Sequence, residues 1–162
     1  MELKINNGPF SYTESASIEF KEAFDTSSVQ DWCEIIKDIV AIANTDGGVI
    51  VFGLKDNGEP IEKDISHLFS LDPADVTNKI HKYTNFQFAQ FELHICEKSG
   101  HKLLAMAIQH VLLPIVFEKP GTYDIGGGRQ KTAFSAGTVY FRHGAKSEPG
   151  NTHDIRNAFE KG

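Results

Sequence analysis

Glu19 and Lys21 stand two residues apart in Ile18-Glu19-Phe20-Lys21, where apolar and charged side chains alternate. Alternation at period two marks a half-buried strand, so Ile18 and Phe20 are expected to face the core, with Glu19 and Lys21 sharing the opposite face. Taken alone, such a charged pair is commonplace on a solvated strand. Joined by further acids it becomes an arrangement for phosphate chemistry. Carboxylate oxygens hold a hard divalent cation, the cation polarises a phosphate and activates water, and the lysine stabilises developing negative charge. Two acids are candidates to join. Glu14 lies five residues before Glu19, and Asp56 follows the apolar run Val49–Leu54. Asp46 is a rival, but its place before Gly47-Gly48 is explained by turn chemistry. Glu14 and Glu19 are an odd number of residues apart, so a regular strand would put them on opposite faces. Their convergence requires a bend between Ser15 and Ser17, or Glu14 outside the strand.

Other chemistries find little support. Gly47-Gly48 follows a helix pattern and so lacks the helix N-terminus on which phosphate loops depend. Gly126-Gly127-Gly128-Arg129 is not followed by the Lys-Ser or Lys-Thr of a P-loop, the seven histidines show no HExxH spacing, and Ser15 and Ser17 have no GxSxG context.

The elements that must position the acids can be read from periodicity. Apolar residues at 32, 35, 36, 39, 40 and 43 give one face of a helix over 29–44, with Ser27 or Ser28 as its cap and Gly47 or Gly48 at positive φ beyond its end. Val49–Leu54 reads as a strand covered on both faces. The strand at 18–21, the helix and the strand at 49–54 form a β-α-β unit with the two strands in one sheet. A second helix starts at Asp72-Pro73, and Phe86–Cys96 pairs with Lys102–Gln109 through a turn at Lys98-Ser99-Gly100. Val111–Phe117 is expected as an edge strand interrupted by Pro114, residues 120–135 as a mobile glycine-rich loop, Thr138–Arg142 as a last strand, and Asn151–Phe159 as a capped final helix. The fold class is α/β (α+β), a single mixed β-sheet flanked by about three helices. Residues 1–13 read as an N-terminal arm and 14–162 as one domain.

The net charge of −6 argues against a broadly basic nucleic-acid coat. Within residues 119–146, however, Lys119, Arg129, Lys131, Arg142 and Lys146 face one acid, Asp124, a balance of +4 that leaves −10 on the rest of the chain. Such a basic arm can hold a phosphate backbone locally. Cys33 and Cys96 read as buried free thiols of a reducing compartment. No apolar run is long enough to span a membrane and the N-terminus is not a signal peptide, so the expected location is the cytoplasm.

Together the quoted residues resemble a known family. Glu14-Ser15, Ile18-Glu19-Phe20-Lys21 and Ala41-Ile42-Ala43-Asn44-Thr45-Asp46-Gly47-Gly48, running through the apolar strand to Gly53-Leu54-Lys55-Asp56, look like the Schlafen AlbA-type domain. Gly137-Thr138-Val139-Tyr140-Phe141-Arg142-His143-Gly144-Ala145 is similar to that family's late G-x-x-Y-x-R-x-G-S motif, with Ala145 in place of the usual serine. Residues 59–118 carry no part of the likeness. The resemblance implies a nucleic-acid-associated domain. Many bacterial members are described only as DNA-binding. In vertebrate Schlafens the domain is a metal-dependent endoribonuclease on tRNA and rRNA that uses two glutamates and one aspartate. Glu14, Glu19 and Asp56 occupy those positions, and Lys21 that of the accompanying lysine. The implied function is therefore an endoribonuclease on structured RNA, with Mg²⁺ or Mn²⁺ held by Glu14, Glu19 and Asp56. Lys21 would stabilise charge, and Arg129, Lys131, Arg142 and Lys146 would hold phosphates. RNA of the tRNA type is expected over DNA, and no membrane. The vertebrate enzymes enclose RNA between two related lobes, so a single copy would have to form a homodimer to build an equivalent cradle. The alternative is a non-catalytic DNA- or RNA-binding module.

Overall fold

The structure is a computed structural model that describes residues 4–5 and 17–161. In chain order its elements are β1 (Lys4–Ile5), β2 (Ser17–Lys21), α1 (Val29–Asn44), β3 (Gly48–Phe52), α2 (Pro73–Thr84), β4 (Phe91–Lys98), β5 (His101–Ile108), β6 (Gly121–Gly126), β7 (Arg129–Phe134), β8 (Tyr140–His143), β9 (Lys146–Pro149) and α3 (Thr152–Lys161).

Helix α1 starts where Ser28, in extended conformation, accepts the Asp31 N–H with its hydroxyl. Its apolar stripe, from Trp32 to Ala43, is buried. The helix stops because Asp46 and Gly47 both take positive φ, and the Gly47 N–H returns to the Ile42 carbonyl at 3.0 Å. A Cβ on Gly47 would lie 2.7 Å from the Ile108 carbonyl oxygen. Gly47→Ala therefore combines a strained backbone with a clash against a strand that cannot yield. Urea unfolding should show a loss of about 2–3 kcal/mol; an unchanged midpoint would mean that the turn relaxes freely.

The turn sends the chain back as β3, which pairs in parallel with β2 from Ser17↔Gly48 to Lys21↔Phe52. β3 pairs antiparallel with β5 on its other side, β5 with β4, and β4 with β1, giving the mixed order β1-β4-β5-β3-β2. The expected mixed sheet, its β-α-β unit and its three helices are thus present. α1 lies on the face that carries Ile50, Phe52, Leu104, Met106 and Ile108, and forms the main core there. A smaller cluster of Val49, Val51, Leu54, Cys96, Leu103 and Ala105 fills the other face. Cys33 and Cys96 are buried free thiols, and burial pushes the Cys96 thiol up to about 11. Among the described residues no helix is long and apolar enough to cross a membrane.

Three readings of the sequence need correction. Residues 120–135 are not a loop: β6 and β7 form a hairpin with glycines at its tip. Only its base is packed, by Tyr123, Ala133 and Phe134, with Phe134 stacked on Phe117 at 3.9 Å. The distal half is exposed on both strands, so no apolar period announces it. Conversely, residues 111–116 form no strand, and Phe117 makes a lone bridge to Thr138. Finally, the strand expected at Phe86 begins at Phe91, because Asn85 closes α2 in the left-handed conformation and the chain must first turn.

Candidate functional site

Strand β2 is oriented opposite to the expectation from its alternation. Ile18 is 44% exposed, and Phe20 packs only against the smaller cluster. Glu19 and Lys21 lie in register with Ile50 and Phe52, on the face covered by α1. The charged side of the strand is the core side. A charge can stand there only if it is paired, and both are.

Lys21 Nζ lies 2.7 Å from Asp38 Oδ2 and 3.9 Å from Glu19 Oε1. The Arg142 guanidinium sits 2.5 Å from Glu19 Oε2 through one terminal nitrogen and 3.4 Å from Asp38 Oδ1 through the other. That second nitrogen also donates to Ser147 Oγ at 3.0 Å, while the Ser147 hydroxyl donates to Asp38 Oδ1 at 2.6 Å. Glu19, Arg142, Asp38 and Lys21 thus form a closed ring of alternating charge with no net charge. Asp38 and Arg142 are its buried members, and Glu19 and Lys21 are partly open to solvent. The ring ties β2, α1 and the β8–β9 hairpin together. Arg142 is further fixed through its backbone N–H, which donates to Thr45 Oγ1 at 3.0 Å.

Asp38 was missed in the sequence. It had a signal: it follows Ile35 by three residues and precedes Ile42 by four, so helical spacing puts it on a buried face. An acid there demands a partner.

Beside the ring lies an open cleft of about 330 Å³ lined by Glu19, Lys21, Asp31, Glu34 and Asp56 among others. Asp56 reaches it because the chain past β3 stays bonded to the end of β2: the N–H groups of Gly53 and Leu54 both donate to the Lys21 carbonyl. A tight turn follows, with the Gly58 N–H on the Lys55 carbonyl. Glu19 and Asp56, distant in sequence, therefore share one cleft. Glu14, with the bend it requires, lies outside the described residues, as does most of the 1–13 arm. Among the described residues no three His, Cys, Asp or Glu side chains converge as a ready-made metal centre. The donors present are hard carboxylate oxygens, which suit Mg²⁺ or Mn²⁺, and Mg²⁺ is commonly held by one or two carboxylates with water and substrate phosphate completing its shell. Glu19 and Asp56 fit that pattern.

The basic residues divide. Arg129 and Lys131 are exposed on the β6–β7 hairpin, and Lys146 is exposed on β9. The hairpin is anchored near the cleft by the Tyr123 hydroxyl, which donates to Glu34 Oε1 at 3.0 Å. Arg142 faces inward: its side chain is 4% exposed, and it meets carboxylates where a phosphate contact was expected.

The β8–β9 hairpin is fastened to α3 by His143, whose ring nitrogens lie 2.9 Å from Asp154 Oδ2 and 3.1 Å from Glu148 Oε1. Asp154 first, and then Glu148, hold the imidazole above its ordinary range. A raised folded-state pKa gives stability that is complete below the unfolded value, about 6.5, and is lost as pH rises through the folded value. The thermal midpoint of the native chain should therefore fall across that window relative to His143→Gln. Parallel pH profiles for the two proteins would remove this role.

A mixed sheet crossed by one long helix, with an acid-lined cleft at its parallel edge, defines an α+β domain. The sequence pattern of the family Schlafen, AlbA_2 matches residues 14–151, and the chain belongs to that family, which makes it a nucleic-acid-related domain. No curated protein matches the sequence. Among solved structures, the crystal structure of the DIP2311 protein from Corynebacterium diphtheriae is similar, with a TM-score of 0.54 and 16% identity over 86% of this chain and 26% of that one. The likeness is one of fold, and the chain spans about a quarter of that protein's length.

Proposed function

We propose that this domain is a divalent-metal-dependent endoribonuclease acting on structured RNA such as tRNA. The observation that carries the reading is that Glu19 on β2 and Asp56, in the turn that follows the neighbouring parallel strand β3, line one open cleft together with Lys21. Glu19 and Asp56, with Glu14, would hold Mg²⁺ or Mn²⁺. When bound, the cation supplies neutralisation of the scissile phosphate and activation of water. Lys21 keeps its ammonium at the cleft, held from behind by Asp38, with donors left to bond a phosphate oxygen. Arg129, Lys131 and Lys146 would hold the backbone on either side, without reading bases. An intact homodimer would double this basic surface around one RNA.

One observation favours a second reading, a non-catalytic DNA- or RNA-binding module: the Glu19 carboxylate already has Arg142 as a counter-ion at 2.5 Å. Incubation of the purified chain with total tRNA, with Mn²⁺ or with EDTA, separates the two. Discrete fragments that appear only with the metal support the nuclease. Intact tRNA that is nonetheless retained, with binding falling steeply in salt, supports the binding module.

A further inference from the structure

The ring around Arg142 contains two carboxylates but only one that faces the cleft. The two terminal nitrogens of the guanidinium go to different partners, one to Glu19 and the other to Asp38 and Ser147. Nε, buried, has no partner among the described residues. The arginine is therefore gripped at two separable ends. Releasing Glu19 would leave it bonded to Asp38 and to the Ser147 hydroxyl, so no buried charge is stranded, which is the usual penalty for opening a buried ion pair. Lys21 is provided for in the same way, since its nearer anion is Asp38 at 2.7 Å and Glu19 lies at 3.9 Å.

We propose that Arg142 is an exchangeable counter-ion for Glu19: it neutralises the carboxylate while the cleft is free of cation, and yields it to the divalent cation while Asp38 and Ser147 retain the guanidinium. This rests on the metal-dependent reading of the cleft. Arg142 and Asp38 are positioning residues, because neither touches the substrate. Without Arg142, Glu19 would keep only Lys21 at 3.9 Å, a cation that Asp38 already holds at 2.7 Å, on the core side of the sheet where desolvation penalises a poorly paired carboxylate.

The consequence is a pair of opposite effects on cation affinity. Removing Arg142 removes a competitor for Glu19. Removing the Asp38 charge leaves Arg142 and Lys21 with Glu19 as the carboxylate both must share, so the cation has two competitors. Isothermal titration of the full chain with Mn²⁺ alone reads this directly, with circular dichroism to show that each variant is folded. Arg142→Gln should bind Mn²⁺ about tenfold tighter, Asp38→Asn about tenfold weaker, and Glu19→Gln should lose the site, as expected for charges within about 4–6 Å. A role confined to structural support would weaken binding in both variants. Should Arg142→Gln fail to fold, Arg142→Lys takes its place: a single ammonium held by Asp38 cannot also grip Glu19 as the guanidinium fork does, so Mn²⁺ binding should still tighten, and unchanged or weaker affinity there overturns the exchange. If the native chain binds Mn²⁺, Glu19→Gln does not, and the other two match the native chain, the exchange falls and the metal reading stands. If the native chain takes up no Mn²⁺, both fall.

Discussion

Replacing Asn44 with alanine should lower the stability of the domain by about 3–5 kcal/mol, among the larger losses expected from one substitution. Asn44 is buried at the last turn of α1, and its amide is fully used. Its nitrogen donates to the carbonyls of Ile115 at 3.2 Å and Tyr140 at 2.9 Å, and its oxygen accepts the Ile115 N–H at 2.8 Å. One side chain thus completes the backbone of a segment that has no strand partner and stitches β8 to the helix. Alanine would leave three buried backbone groups unpaired, each costing about 1–3 kcal/mol. Aspartate is no remedy, because it loses both donors and buries a charge. The effect should reach the site as well, since β8 carries Arg142. Equilibrium urea unfolding checks this: a loss below about 1 kcal/mol would mean that water replaces the amide without penalty and that Asn44 is no staple.

The second large effect is on chemistry. Glu19→Gln preserves shape and one acceptor oxygen but removes the charge that a divalent cation requires. Glutamine also cannot pair with Arg142 at 2.5 Å as a carboxylate does. The guanidinium stays with Asp38 and Ser147, so the fold should survive. Cleavage should drop by roughly a hundredfold or more, the size of effect seen when a group stabilising transition-state charge is removed. Binding of RNA should persist, because the exposed Arg129, Lys131 and Lys146 are untouched. Asp56→Asn should behave in the same way, with less effect on stability, because Asp56 is exposed.

How much of this could be read in the sequence depends on which interactions repeat at a fixed period. Helix α1, its glycine stop and β3 were legible because the apolar stripe, the turn residues and the apolar run are local signals that all point the same way. The parallel pairing of β2 with β3 followed from the β-α-β order. The orientation of β2 did not, because alternation reports two faces without saying which is inside. Here the inner face is charged, and the partners that allow it lie far along the chain, Asp38 17 residues from Lys21 and Arg142 123 residues from Glu19. The β6–β7 hairpin was hidden for a related reason: a ribbon packed only at its base, through Tyr123 and Phe134, has too few buried positions to show a period. Glu19, Lys21 and Asp56, which line one cleft, were singled out by their residue types and their likeness to a family motif. Asn44 and Thr45 are short polar residues at the end of the α1 pattern, where such residues are ordinary, and their bonds to Tyr140 and Arg142 have no trace in local pattern.

The most direct measurement is the single-turnover cleavage rate of a structured RNA by the native chain, Glu19→Gln and Asp56→Asn, each with Mn²⁺ and each checked for RNA binding at the same salt. The account predicts metal-dependent cleavage by the native chain, a loss of roughly a hundredfold or more in each variant, and binding retained throughout. Cleavage by either variant at the native rate, with the metal still required, would contradict it.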